Sequence, residues 1–233
     1  MAYHLNSLIN QDSPSGLYLR RANAFAGLEQ WELAKKDLSR YRELTPGSAD
    51  SRFYLALLCL ANGDLTEFHS VCEAMISQYA TSETPDHANA LVWLLALTPE
   101  RPNDLRLMTE RIEFACERAN ESNERYLTLN TLGLTYYRGQ RYQEALRAIR
   151  ESIRLQDGVG SEPDWIVLSM IHSKLGNRKD AQHWLTQANQ SLNNAVGLGN
   201  PVSKKHSRNW INRFQLILLL TEAQQLIKPV DDK

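Results

Sequence analysis

Ser169 and His172 lie one helical turn apart, a spacing that would let an imidazole activate a hydroxyl nucleophile in a hydrolase. In a similar segment 36 residues earlier, Gly133 and Tyr136 hold the same two places. A glycine and a tyrosine at those places fill the space between packed helices and offer no nucleophile. The sequence therefore predicts that Ser169 and His172 are packing residues.

A group of carboxylates could also suggest catalysis. Glu110, Glu113 and Glu117 follow helical spacing, as an acid–base pair on one helix would. Arg111 and Arg118 interleave with them, which is typical of a solvated, ion-paired helix face. The usual zinc patterns, His-Glu-x-x-His and paired Cys-x-x-Cys, do not occur in the sequence. We expect neither an enzyme nor a cofactor or metal site.

A short basic cluster could contact phosphate groups. It comprises Lys204, Lys205 and His206, with Arg208 and Arg213 close behind. The cluster stands at the predicted start of a helix, where the helix dipole disfavours cations. The whole chain carries a net charge of −1, so no general attraction to polyanions exists. We interpret the cluster as a solvated loop and expect no nucleic-acid partner.

The elements that would position all these residues are predicted to be paired helices. Small residues recur twelve positions apart along the chain, as Ala22 with Ala34, Gly133 with Ala145, and Ser169 with Ala181. Small side chains at such places let two helix backbones approach closely. Apolar and aromatic residues follow at helical spacing on both sides, and no alternating run indicates a strand.

This pattern resembles the tetratricopeptide repeat, a helix–turn–helix unit of about 34 residues. The resemblance implies an all-α fold, a right-handed α-α superhelical solenoid of about five helical pairs with a C-terminal capping helix. The predicted repeats span 15–47, 48–82, 85–122, 124–158 and 163–193, followed by a loop at 194–204 and the capping helix at 205–228. A partial helix at 3–9 precedes them, either as a short cap or as the remnant of a longer array.

The cysteines and the hydrophobicity pattern of the chain indicate its cellular location. The three cysteines, Cys59, Cys72 and Cys116, are odd in number and lie on predicted apolar faces, which favours a reducing, cytoplasmic location. The start of the chain lacks the features of a signal peptide. No apolar run approaches the roughly 18 residues that cross a bilayer. We expect no membrane partner.

In tetratricopeptide proteins the first helix of each pair lines a concave groove that holds a peptide or a partner's helix. The resemblance therefore implies that this chain is a non-catalytic protein-interaction scaffold. The residues that map to groove-facing places are Arg20, Asn23, Tyr54, Leu57, Asn130, Thr131, Leu134, Tyr137, Arg138, Met170 and Lys174. A related group binds the C-terminal carboxylate of chaperones with a set of Lys, Asn and Arg residues, of which only Asn23 is in place. A chaperone cofactor is therefore disfavoured.

The second half also resembles repeat tails of large bacterial signalling proteins, which follow a serine/threonine kinase or a WD-repeat domain. The runs that carry this likeness are 86–93, 129–133, 164–165 and 210–223. It implies the alternative function of a regulatory or structural appendage that docks on its own parent protein or mediates self-association. No kinase motif is present in the chain.

The last predicted helix is unusually apolar. The side that would cover the final repeat carries Trp210, Phe214, Ile217, Leu220 and Ala223. The residues that would then face elsewhere are Leu216, Leu219, Leu226 and Ile227. These leucines are either buried as part of the cap or form a surface for homodimerisation.

Overall fold

The computed structural model describes residues 13–46, 49–99, 105–156, 158–196 and 210–227. These residues form eleven α-helices, and no strand occurs among them. The predicted all-α fold class is confirmed. The helices are α1 (Pro14–Gly27), α2 (Trp31–Leu44), α3 (Ala49–Ala61), α4 (Leu65–Tyr79), α5 (Pro85–Ala96), α6 (Leu105–Arg118), α7 (Ser122–Arg138), α8 (Tyr142–Leu155), α9 (Glu162–Lys174), α10 (Arg178–Val196) and α11 (Trp210–Leu226).

Successive helices pack as pairs, and the chain divides into two compact units. The N-terminal unit comprises Ala2–Glu83 and Arg208–Phe214, and it contains the pairs α1/α2 and α3/α4. The C-terminal unit comprises Thr84–Ser207 and Gln215–Lys233, and it contains α5/α6, α7/α8 and α9/α10. Within the C-terminal unit the first helices also pack side by side, α5 against α7 and α7 against α9. This arrangement forms a layer of first helices.

The small residues lie where the sequence predicts helix contacts. All six of them, Ala22, Ala34, Gly133, Ala145, Ser169 and Ala181, are buried. At Gly133 the approach is close enough that an added Cβ would stand 2.4 Å from Ile149 Cδ1 on α8 and 3.5 Å from the carbonyl oxygen of Ala145. The glycine is thus required by the contact and not by its backbone angles.

The turns inside four of the pairs share one conformation. Glu29, Gly63, Gln140 and Gly176 each adopt a positive φ of 58–79°. The backbone N–H of the following residue donates to a carbonyl five residues back, as Arg141 does to Tyr136. This is the Schellman motif that ends helices and turns the chain back. The sequence predicts a break at Gly139, and α7 does end at Arg138 with Gly139 as its C-cap. The left-handed residue of this turn is the following Gln140.

Several predicted features fall outside the described residues. These are the partial helix at 3–9, most of the loop at 194–204, and the basic residues Lys204, Lys205, His206 and Arg208. In the described part of the chain, no helix is long and apolar enough to cross a membrane. The same residues hold no group of three His, Cys, Asp or Glu side chains that could bind a metal ion.

Replacing Gly133 by alanine tests the close approach of α7 and α8. In a helix, alanine is more favourable than glycine by about 1 kcal/mol. A loss of stability in this variant would therefore come from the clash with Ile149. We expect Gly133→Ala to lower the free energy of unfolding by about 1–3 kcal/mol in urea titrations. Gly27→Ala is the control, because no atom lies within 4 Å of its added Cβ. Equal stability of the two variants would contradict the packing described.

Thiol reactivity tests the burial of the cysteines. Burial raises the pKa of Cys59 and Cys72 to about 12 and that of the half-buried Cys116 to about 11. At about pH 8 we expect Cys59 and Cys72 to react with a thiol reagent at least about a hundredfold more slowly in the native chain than in the unfolded chain. Cys116 is the internal reference and reacts first. Equal native and unfolded rates would contradict burial of the thiols.

The same shifts set a dependence of stability on pH. The folded pKa values lie above the ordinary value of 9.0, so folding favours the protonated thiols. Their contribution to the free energy of unfolding is fully present below about pH 9 and is lost as the pH rises towards 12.

Candidate functional site

The C-terminal unit has a surface that we call the first-helix face, formed by α5, α7 and α9. Residues 215–226 of α11 lie against its α5 and α7 portions. Trp93 on α5, itself 1 % exposed, donates its indole N–H to the amide oxygen of Gln215. Gln224, farther along α11, donates to Asn189 on α10 at 3.2 Å. The face therefore holds a helix of the same chain through directed side-chain contacts.

Arg138 makes the strongest of these contacts. Its two terminal nitrogens donate to the two carboxylate oxygens of Glu222 at 2.5 and 2.7 Å, and its Nε donates to the carbonyl oxygen of Ala96 at 2.8 Å. The side chains of Arg138 and Glu222 are only 4 % and 12 % exposed. Removing one partner from such a buried pair strands the other charge, at a cost of roughly 3–5 kcal/mol.

Tyr137 completes this end of the face. The Arg138 guanidinium lies 5.5 Å from the centre of the Tyr137 ring, within the range of a cation–π contact. Burial raises the pKa of Tyr137, and the nearby negative charge of Glu222 raises it further. The tyrosine therefore stays neutral and acts as an apolar support for the arginine fork.

The apolar side of α11 is covered. Leu216, Leu219 and Ala223 are buried. Ile217, which the sequence places on the covered side, instead lies on the opposite side of the helix and is 46 % exposed. Leu226, near the end of the helix, is half-buried. Two of the three leucines assigned to self-association are thus enclosed within the chain. The sequence predicts α11 as a cap on the final pair. Its described hydrogen bonds in this unit reach α10 of that pair and also α5 and α7.

In the N-terminal unit the first residue of α11 is also engaged. Trp210 donates its indole N–H to the amide oxygen of Asn23 at 3.0 Å, and its ring packs edge-on against Trp31 at 6.4 Å. Arg20 is exposed on α1, and Tyr54 on α3 is buried. Asn23 therefore binds an indole group of the same chain in this structure.

Leu57 and Leu134, which are also predicted to face a groove, are fully buried. Four further residues of that prediction differ in exposure. Asn130, Thr131 and Met170 are fully buried, and Lys174 at the end of α9 is exposed. Thr131 donates its hydroxyl to the carbonyl oxygen of Leu127 in its own helix. In this conformation only Lys174 of these four presents its side chain to solvent. The groove assignment of the other three stays a prediction that this conformation does not support.

Asn130 instead belongs to a buried polar cluster centred on Asp164, which is 0 % exposed. Asn130 Nδ2 on α7 and Ser152 Oγ on α8 both donate to Asp164 Oδ1 at 2.9 Å. The backbone N–H and the hydroxyl of Ser161 donate to Asp164 Oδ2, also at 2.9 Å. Asp164 lies in the first turn of α9, so its carboxylate ties three helices together.

Tyr126 adds a further donor to the Asp164 cluster. Its hydroxyl lies 2.6 Å from Ser161 Oγ and 3.2 Å from Asp164 Oδ2. Burial and the charge of Asp164 raise the pKa of Tyr126, so its hydroxyl keeps its proton. The Ser-x-x-Asp spacing of Ser161 and Asp164 is a capping box that the sequence could have revealed. The sequence contains no comparable signal for the partners of Asp164 on other helices, which are Tyr126, Asn130 and Ser152.

The serine and histidine that could have suggested a hydrolase have other partners. Ser169 donates its hydroxyl to the carbonyl oxygen of Ile166 at 2.7 Å. His172 Nδ1 lies 3.3 Å from Asn177 Nδ2 and 3.6 Å from Asp180 Oδ2. Burial lowers the pKa of His172, although Asp180 opposes this shift. Both residues are buried, as the packing interpretation predicts.

These features define a class, the all-α helical-repeat proteins built from consecutive helical pairs. Residues 19–83 match the model of the tetratricopeptide repeat. This match covers α2, α3 and α4 and part of α1, which form the pairs of the N-terminal unit. No curated protein matches the sequence.

The chain is similar to several solved structures. The crystal structure of yeast Tom70 is 16 % identical, with a TM-score of 0.51, and the match covers 94 % of this chain and 41 % of that chain. This protein thus spans less than half the length of that Tom70 chain. A mutant of MamA is 15 % identical over 78 % of this chain and 99 % of its own, with a TM-score of 0.45. MamA from MSR-1 is 14 % identical over 78 % and 98 %, with a TM-score of 0.47. At these identities the likeness concerns the fold alone.

Substituting Asp164 tests whether the buried cluster stabilises the C-terminal unit. Asp164→Asn keeps the shape but places an N–H₂ group against donors, which leaves buried hydrogens without acceptors. We expect a loss of about 2–4 kcal/mol in the free energy of unfolding by urea titration. Glu110→Gln, an exposed carboxylate with one surface arginine partner, is the control and should change stability by less than about 0.5 kcal/mol. Equal effects would refute the role assigned to the cluster.

Proposed function

We propose that this chain is a protein-interaction scaffold whose first-helix face binds a helical segment of a protein partner. One observation carries the proposal: the face already holds residues 215–226 as an α-helix, with Gln215 bonded to Trp93 and Glu222 clamped by Arg138. A surface that orders one helix through such contacts has the shape and the polar groups to order another. The repeat match at 19–83 is consistent with a binding role.

The buried residues of this face would contribute to binding mainly because their side chains are already held in a fixed orientation. Tyr137 and Arg138 are held in place by neighbouring side chains and by the Ala96 carbonyl, so a ligand would meet them already oriented. Preorganised groups bind with a smaller loss of conformational entropy. Lys174 is exposed on α9 and would contact the rim of a bound segment. In the N-terminal unit, Arg20 and Asn23 would serve in the same manner.

A second function has the same observation behind it. The occupant in this structure is a segment of the chain itself, so the face would also suit a regulatory appendage that docks within a longer signalling polypeptide or self-associates. For a homodimer, the enclosed Leu216 and Leu219 would first have to leave the chain they now pack in. Self-association through α11 therefore requires exchange of the helix between copies.

The proposed partners are proteins, and the proposed location is cytoplasmic. The three cysteines are all free thiols, which suits a reducing compartment. The near-neutral charge of the chain gives no support to a nucleic-acid partner. Among the described residues, the side chains of the first-helix face make polar and apolar contacts suited to binding a helix. The proposed function gives none of them a catalytic role.

Site-specific photo-crosslinking in cells tests the scaffold function. A benzophenone amino acid in place of Lys174 should yield an adduct of discrete mass with a partner protein. The matched control is Arg147, which is exposed on the second helix α8 and should give no such adduct. An adduct with a second copy of the chain would favour self-association. Identical adduct patterns at the two positions, or none at either, would contradict the proposal.

A further inference from the structure

We infer that residues 215–226 of α11 are an exchangeable occupant of the first-helix face, and that the partner suited to this face is an amphipathic helix carrying an amide and a carboxylate seven residues apart. The inference rests on the proposed function, because it names the kind of segment that the same face binds. The evidence is two hydrogen-bonded pairs, Trp93 with Gln215 near the start of this segment and Arg138 with Glu222 farther along it.

The spacing follows from helix geometry. Seven residues make two helical turns, so Gln215 and Glu222 project from the same side of α11 about 10 Å apart. Leu216, Leu219 and Ala223 are buried on that side. The recognised pattern is therefore Gln-Leu-x-x-Leu-x-x-Glu-Ala, in which the x positions are the exposed Ile217 and Thr221 and the half-buried Leu218 and Leu220. The exposed Arg213 precedes this pattern and is not part of it.

The carboxylate is the main source of selectivity. Arg138 is buried and its Nε is already bonded to the Ala96 carbonyl, so its terminal nitrogens point in a fixed direction. A planar guanidinium presents two parallel donors that match a carboxylate. A helix with an amide or a lysine at the Glu222 position would leave this buried charge without a counterion, which disfavours binding.

Exchange is favoured by the way α11 is held. The helices of a pair approach each other closely, as Gly133 and Ile149 show for α7 and α8. The interactions described for α11 are instead made by side chains, mainly Trp93, Arg138 and Asn189. A few anchors of this kind can be replaced one for one by those of a similar helix. The resident helix nevertheless has the advantage of being tethered, so a free competitor binds weakly until an anchor of α11 is removed.

The test uses the full chain and a fluorescent peptide with the sequence of residues 210–227. In the chain, Glu222→Ala removes the resident carboxylate and leaves Arg138 available. We expect this variant to bind the peptide at least about tenfold more tightly than the wild-type chain does, by fluorescence anisotropy. A peptide with Glu222→Gln should bind the same variant at least about tenfold more weakly than the parent peptide. Gln225→Ala in the chain, at an exposed position of α11, is the matched control and should bind like wild type.

Two results would overturn the inference: equal binding of the parent and Glu222→Gln peptides, or no gain in affinity in the Glu222→Ala chain. If that variant does not fold by circular dichroism, Gln215→Ala takes its place, because it removes the acceptor of Trp93 and should show the same order of affinities. A partner adduct at Lys174 without peptide binding would overturn the exchange of α11 and leave the scaffold function standing. Failure of both experiments would remove the scaffold function as well.

Discussion

In the α7/α8 pair two helix backbones approach closely, and the small side chain at the crossing decides whether they can. At Gly133 the neighbouring Ile149 occupies the space that any Cβ would need. The apolar stripe of α8 can be buried only because that space is left free. The C-terminal unit stacks this pair between α5/α6 and α9/α10, since a single pair cannot cover its own apolar surface.

Contact between successive pairs has a polar component. Asp164 starts α9, and its carboxylate accepts hydrogen bonds from Asn130 on α7 and Ser152 on α8. A buried carboxylate is tolerated only where donors surround it, so the cluster fixes the register of one pair on the next. Asn130 is thereby committed to the interior, which explains why a residue suited to binding a ligand backbone is fully buried.

The last helix connects this architecture to function. Residues 215–226 lie on the first helices α5 and α7, where Arg138 and Trp93 provide directed contacts. The predicted roles of Tyr137 and Arg138 as groove residues and of Leu216 as a surface residue stay untested. In this structure the groove residues contact or lie close to Glu222, and Leu216 is enclosed. The chain supplies both a binding face and a segment that fits it.

The sequence by itself determined the elements and their pairing. Small residues at a fixed spacing and apolar residues at helical period are local signals, and the paired helices of an all-α fold followed from them. Gly139 shows the limit of such signals, because glycine adopts a left-handed conformation most readily, yet the left-handed turn residue is the following Gln140. The partners of Asp164 and Arg138 were decided only by tertiary structure. Asp164 lies 34 residues from Asn130 and Arg138 lies 84 residues from Glu222, and no periodicity along one helix encodes which distant side chain will complete a buried charge.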